Sequence, residues 1–121
     1  MSSNHNLIIS PRVPKRFWGR KSVFLGSWCF DWSLEYVYPA KKVVPYHWDD
    51  RQKLYDDYIY LKRVNSNLID ALTPVLNKYH NVHEPRAYWE LLIGYWINIC
   101  TAVLFDRWSM LKSAEKFKLF D

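Results

Sequence analysis

The sequence predicts an α/β fold that is mainly helical: a short βαβ-like opening followed by two long antiparallel helices. Three observations predict it. Two brief apolar runs end at turn-forming residues, Gly26 and Pro45. Two long stretches then repeat apolar residues at three-four spacing, each with a starting signal. Only a short polar connection separates them.

The first 21 residues hold Pro11 and Pro14 among Arg12, Lys15, Arg16, Arg20 and Lys21, with no acidic residue. They predict a basic, flexible, irregular arm, with residues 22–121 forming a single α/β domain. Ser22 to Gly26 reads as a buried strand closed by a glycine. Residues 31–38 suit a short helix stopped by Pro39, and Lys42 to Val44 a second strand stopped by Pro45. A strand, a crossover and a second strand pair in parallel.

Asp49 is the expected N-cap of the first long helix, and Gln52 three residues later completes a capping-box pattern. Leu54, Tyr58, Leu61, Leu68, Leu72, Val75 and Tyr79 then mark one apolar face. Pro74 lacks an N–H and is expected to kink or split that helix after Thr73. Residues 77–84 make the polar connection. Pro85 suits the first position of the second helix. There Trp89, Leu92, Trp96, Ile99, Val103 and Leu111 form the main face, flanked by Ile93, Ile97, Cys100, Leu104 and Trp108. So wide a stripe predicts a helix nearly surrounded by protein. Gly94 sits mid-helix, and a close approach of another backbone would account for it.

Composition narrows the function classes. The chain has 121 residues, enough for one real core. Its 18% of aromatic residues, with 7 Trp and 9 Tyr, supply large buried areas and also surfaces on which sugars or bases could stack. The net charge of +5 comes from the arm; from Asp31 onward 12 basic residues face 12 acidic ones. A nucleic-acid-binding fold carries its basic stripe on folded elements, so no nucleic acid partner is expected. The run Leu91 to Phe105 falls short of the about 20 apolar residues of a membrane span, so no transmembrane segment is expected. Cys29 and Cys100 form neither a disulfide framework nor a metal spacing, and the N-terminus has no signal-peptide core. A cytoplasmic setting follows as the expectation.

The densest polar cluster is Pro45-Tyr46-His47-Trp48-Asp49-Asp50-Arg51, at a strand-to-helix junction of the kind that holds ligands in α/β proteins. The plainer reading is two acids capping a helix beside a paired Arg51. The alternatives are His47 as a ligand or proton donor, or a metal held by His47, Asp49 and Asp50, for which no further ligand set is apparent. Gly26-Ser27-Trp28-Cys29 would stand beside this cluster if the strands are neighbours. Cys29 lacks an activating base in sequence. Asp106 and Arg107 border the apolar face of the second helix and read as a structural ion pair or as Arg107 entering a cleft. The catalytic candidates are His47, Asp49, Asp50 and Arg107; the substrate-binding candidates are Trp28, Tyr46, Trp48 and Arg51. No catalytic triad, glycine-rich phosphate loop, zinc spacing or paired-carboxylate motif occurs, so no cofactor or metal is expected.

Five segments occur in order: Phe24 to Cys29, Val44 to Arg51, Asp56-Asp57-Tyr58, Tyr88-Trp89 with Leu92-Ile93-Gly94, and Leu104 to Trp108. Together they resemble the N-terminal region of a transferase family found in bacterial O-antigen and surface-polysaccharide biosynthesis clusters. The likeness runs from about residue 22 to 111. Tyr95 stands where that family commonly has proline after the Ile-Gly pair. The resemblance implies an incomplete glycosyltransferase-like domain, the front part of a longer protein and inactive alone. It also implies nucleotide-sugar and glycan-acceptor contacts made through a C-terminal region beyond Asp121. The other function class left open is a non-catalytic module that binds a glycan or a partner chain.

Overall fold

A computed structural model describes residues 6–18, 20–31, 33 and 42–116. The fold is mainly helical α/β, as predicted. Among the described residues it holds three short strands, β1 (Asn6–Ile8), β2 (Ser22–Phe24) and β3 (Lys42–Val43), and two long helices, α1 (Arg51–His80) and α2 (Arg86–Lys116). The chain divides into two compact units, residues 1–49 with 107–121, and residues 50–106. α2 is continuous and contributes its last turns to the first unit.

In the first unit, β2 is the central strand of a parallel sheet ordered β1-β2-β3. Leu7 aligns with Val23, and Phe24 with Val43. All three residues of β2 are buried, the pattern of a parallel strand covered on both faces. The core joins Ile8, Val23, Phe24, Leu25, Cys29 and Val44 to Met110 and Ala114 of α2. Full burial of each large aliphatic or aromatic side chain contributes about 1.5–3 kcal/mol. The predicted helix at 31–38 falls almost wholly outside the described residues.

The basic arm needs correction. Residues 6–8 form a strand rather than irregular chain, because Leu7 and Ile8 offer an apolar edge that pairs with β2 and buries Ile8. Further along, the Trp18 indole N–H donates to the Val13 carbonyl at 2.9 Å. The cations also find partners: the Arg16 guanidinium lies 4.8 Å from the Phe17 ring centre.

In the second unit, α1 begins one residue later than the capping pattern suggested. Asp50, not Asp49, is the N-cap: its carboxylate accepts from the backbone N–H groups of Gln52 and Lys53, each at 3.1 Å. Asp49 is spent closing a 3-10 turn at His47–Asp49, which moves the cap to the next residue. Gln52 then donates its amide to Asp56 at 3.0 Å instead of completing a capping box. Pro74 does not split α1, which runs unbroken to His80. Just before it, the Thr73 hydroxyl donates to the Ile69 carbonyl at 2.8 Å, a local bond the helix interior accommodates. Asn81, in the left-handed region at φ 53°, ends the helix. The Val82 and Asn81 N–H groups return to the carbonyls of Asn77 and Lys78, a Schellman closure.

The Asn77 side chain clamps the turn. Its carbonyl oxygen accepts from the Glu84 N–H at 3.0 Å and the Trp89 indole N–H at 2.9 Å, while its amide donates to the Glu84 carbonyl. Asn65 pairs with Thr101 and Asp70 with Arg86, so rising numbers on one helix meet falling numbers on the other. The helices are therefore antiparallel, as predicted. α2 opens at Arg86, one residue after the proline expected to start it.

The expected burial of the helices fails in an informative way. α2 is not surrounded by protein: Leu91 is 85% exposed, Tyr95 78% and Trp96 65%, while Trp89 and Ile97 face inward. α2 is long and apolar enough to cross a membrane by length and composition, with 17% of its most apolar window buried. Within residues 50–106 the one long helix facing it is α1. On α1 the inward stripe is also rotated. Ile69 is buried, with Leu61, Val64, Leu72 and Leu76 half-buried, whereas Tyr58, Val75 and Tyr79 stay exposed.

Candidate functional site

Parallel strands present their carboxyl ends on one edge of a sheet, so the loops after β2 and β3 leave from the same edge. After β2, Leu25 and Gly26 lead into a 3-10 turn at Ser27–Cys29. Gly26 is extended (φ −174°), so its backbone would suit any residue; the demand is for space. A Cβ built on Gly26 would lie 1.9 Å from Cζ3 of Trp28, because the indole folds back over the glycine.

Held there, the half-buried Trp28 ring carries the Arg107 guanidinium at 3.7 Å from its centre. Arg107 comes from the part of α2 that packs into this unit. A guanidinium stacked on an indole has its plane fixed by the ring. The Cys29 thiol is buried at the end of the same turn, and that burial pushes its pKa up. Backbone N–H groups of Gly26 and Leu25, and the Arg107 charge, work against this without reversing it. The thiolate form is disfavoured, which speaks against Cys29 as a nucleophile.

After β3, Val44 is buried and Pro45 turns the chain into the 3-10 turn at His47–Asp49. His47 is buried, at 8% exposure, with its ring 4.5 Å from that of Trp48 and 5.2 Å from that of Tyr46. Tyr46 is exposed, and Trp48 is half-buried. The Tyr46 and Trp48 rings are themselves 6.1 Å apart, so the three rings form a triangle that restricts the orientation of the imidazole.

The sequence-predicted residues thus fall into three groups. Trp28 meets Arg107, and Tyr46, His47 and Trp48 form an aromatic cluster on the neighbouring loop. Asp49 ends the 3-10 turn and is exposed. Asp50 and Arg51 open α1 in the second unit, where Asp50 is occupied as the cap. Among the described residues, no three His, Cys, Asp or Glu side chains gather as a metal site.

The sequence left open whether Arg107 reaches the loop after β2, and the contact between Trp28 and Arg107 answers it. The residues are far apart in the chain, and no local pattern pairs an arginine with one of 7 tryptophans. Sequence reasoning missed a cavity of about 260 Å³ beside Asn6, Ile8, Arg12 and Phe17, which contains none of the predicted site residues. The apolar run at Leu7-Ile8-Ile9 was the available signal for structure there.

No curated protein and no solved structure matches this chain. The model of the LIC12162 family transferase matches residues 11–120, and the chain therefore belongs to that transferase family.

Proposed function

We propose that this chain is the N-terminal part of a glycosyltransferase acting in surface-polysaccharide or O-antigen assembly, and that it needs a further region for turnover. The observation that carries this reading is the Arg107 guanidinium stacked on Trp28, in a member of a transferase family. Glycosyl transfer breaks the bond between an anomeric carbon and a phosphate oxygen, forms a bond to an acceptor hydroxyl and releases that hydroxyl's proton. Arg107 would face the charge that grows on the leaving phosphate, the role a preorganised cation performs best. His47 would take the acceptor proton, while Trp28, Tyr46 and Trp48 would stack on the sugar. Asp49 would orient the imidazole or the acceptor. Asp50 and Arg51 serve the start of α1 in this reading, and no cofactor takes part. The two free thiols fit a reducing, cytoplasmic setting.

The test is transfer from a panel of nucleotide sugars by the full-length family protein carrying this region, read as released nucleotide. His47→Ala should lower turnover by about a hundredfold or more. Arg107→Lys, which keeps the charge but loses the planar stack, should lower it as well. Wild-type rates in both variants would sink the reading.

A second reading, a non-catalytic module that binds a glycan or partner chain, draws on the exposed apolar residues of α2. It predicts no nucleotide release by the full-length protein with any donor.

A further inference from the structure

We infer that the second unit carries a saccharide-binding cleft between α1 and α2, built around Gly94. The cleft has a volume of about 560 Å³, within the range of small-molecule sites. Its lining includes Lys62, Asn65, Arg86, Gly94, Tyr95 and Asn98.

Gly94 is the first observation. A glycine inside a long helix weakens it, so it needs a reason. Close helix packing is not the reason. A Cβ there would meet only Glu90 Cγ, at 3.5 Å, and no backbone of α1. What the missing side chain leaves is the opening of the cleft.

The chemistry of the walls is the second observation. Arg86 is neutralised: it donates to Asp70 and Glu90, each at 2.5 Å, and to the Ser66 hydroxyl at 2.9 Å. The Asp70 hydrogen bond, then the charges of Asp70 and Glu90, raise its pKa, so it remains a fixed cation without surplus charge. Arg86 with its two carboxylates sums to −1, and Lys62 brings the cleft to neutrality, so no surplus positive charge is offered to a diphosphate. The Asn65 amide is tied to the Thr101 hydroxyl at 2.7 Å, which holds it at the wall of the cleft. Asn98 supplies a second amide from α2, and Tyr95 an exposed ring beside the glycine. Two amides, one ammonium and an aromatic face above a buried Ile69 suit a neutral polyhydroxylated ring. Hydroxyls exchange donors and acceptors with amides, and the ring's C–H face lies on the tyrosine. The inference rests on the proposed transfer function for one point alone, that the saccharide is an acceptor glycan.

The experiment is saturation-transfer NMR on the 121-residue chain with methyl glycosides of glucose, galactose, mannose and N-acetylglucosamine. Inorganic phosphate serves as competitor. At least one glycoside should give a signal. Gly94→Ala should keep it, because that Cβ makes only an ordinary contact. Gly94→Leu should weaken binding at least about tenfold by filling the opening. Tyr95→Ala and Asn98→Ala, both exposed substitutions that leave folding intact, should weaken it too. The inference is overturned if no glycoside binds, if Gly94→Leu and Tyr95→Ala both bind as wild type, or if phosphate displaces the glycoside. Binding rather than turnover is the readout. A silent cleft leaves His47 and Arg107 as they stand, and inactive His47 and Arg107 variants leave the cleft's binding intact.

Discussion

The Arg107 guanidinium lies 3.7 Å from the centre of the Trp28 indole, joining the carboxyl end of β2 to α2 within the first unit. Both side chains are half-buried, so water screens the attraction only in part. Such a contact contributes on the order of 1–2 kcal/mol. A double-mutant cycle with Arg107→Ala and Trp28→Leu, read by urea denaturation, should give a coupling of about 1 kcal/mol. Additive single-variant effects would show that the stack adds nothing to stability.

Gly26 should tolerate no side chain. Gly26→Ala places a methyl 1.9 Å from a rigid ring atom of Trp28, and the ring cannot swing away without leaving Arg107. The expected loss is about 1–3 kcal/mol, the usual cost of overpacking. In a Trp28→Leu background most of that loss should disappear. A melting midpoint unchanged by Gly26→Ala in the wild-type chain contradicts the packing described.

The two acids before α1 should separate cleanly. Asp50→Ala removes the cap of two backbone N–H groups and should cost about 1 kcal/mol. Asp49→Ala, at an exposed position in the preceding turn, should fall within about 0.5 kcal/mol of wild type. Equal losses in the two variants, measured by helix content during thermal melting, would place the cap wrongly.

Burial raises the pKa of Cys29, and the sign of its effect on stability follows. The folded state holds the thiol proton more tightly than the unfolded chain does. Stability from this residue is therefore complete below the ordinary thiol pKa of about 8.5 and is lost as pH climbs through the higher folded value. The alkaline fall in melting temperature should be shallower in Cys29→Ala than in wild type. Cys100, which is only half-buried, should react first with a thiol reagent at neutral pH. Faster labelling of Cys29 would contradict its placement in the core.

Much of the fold was legible because its signals are local. Gly26 and Pro45 punctuate strands within a few residues, and the spacing of apolar residues over 51–80 and 86–116 names two helices whatever else surrounds them. Parallel pairing of β2 and β3 followed from the crossover between them, which placed Trp28 and the Tyr46-His47-Trp48 cluster on loops leaving one sheet edge. The cap was misplaced by one residue, since Asp49 and Asp50 offer the same chemistry and only the 3-10 turn chooses between them.

The sequence by itself thus determined the element types, their order and the turns that separate them, each set by neighbours in the chain. Tertiary structure decided what depends on distant partners. It made a strand of Asn6–Ile8, since an edge beside β2 was there to receive it. It chose which stripe of each helix turns inward: the apolar stripe of α2 is too wide to single out one face, so contact with α1 selects Trp89 and Ile97 and leaves Leu91 and Tyr95 to solvent. It brought Arg107 onto Trp28 and left Gly94 at an open cleft rather than a tight crossing. These are choices between surfaces of equal local merit, and only the long-range contacts of the folded chain distinguish them.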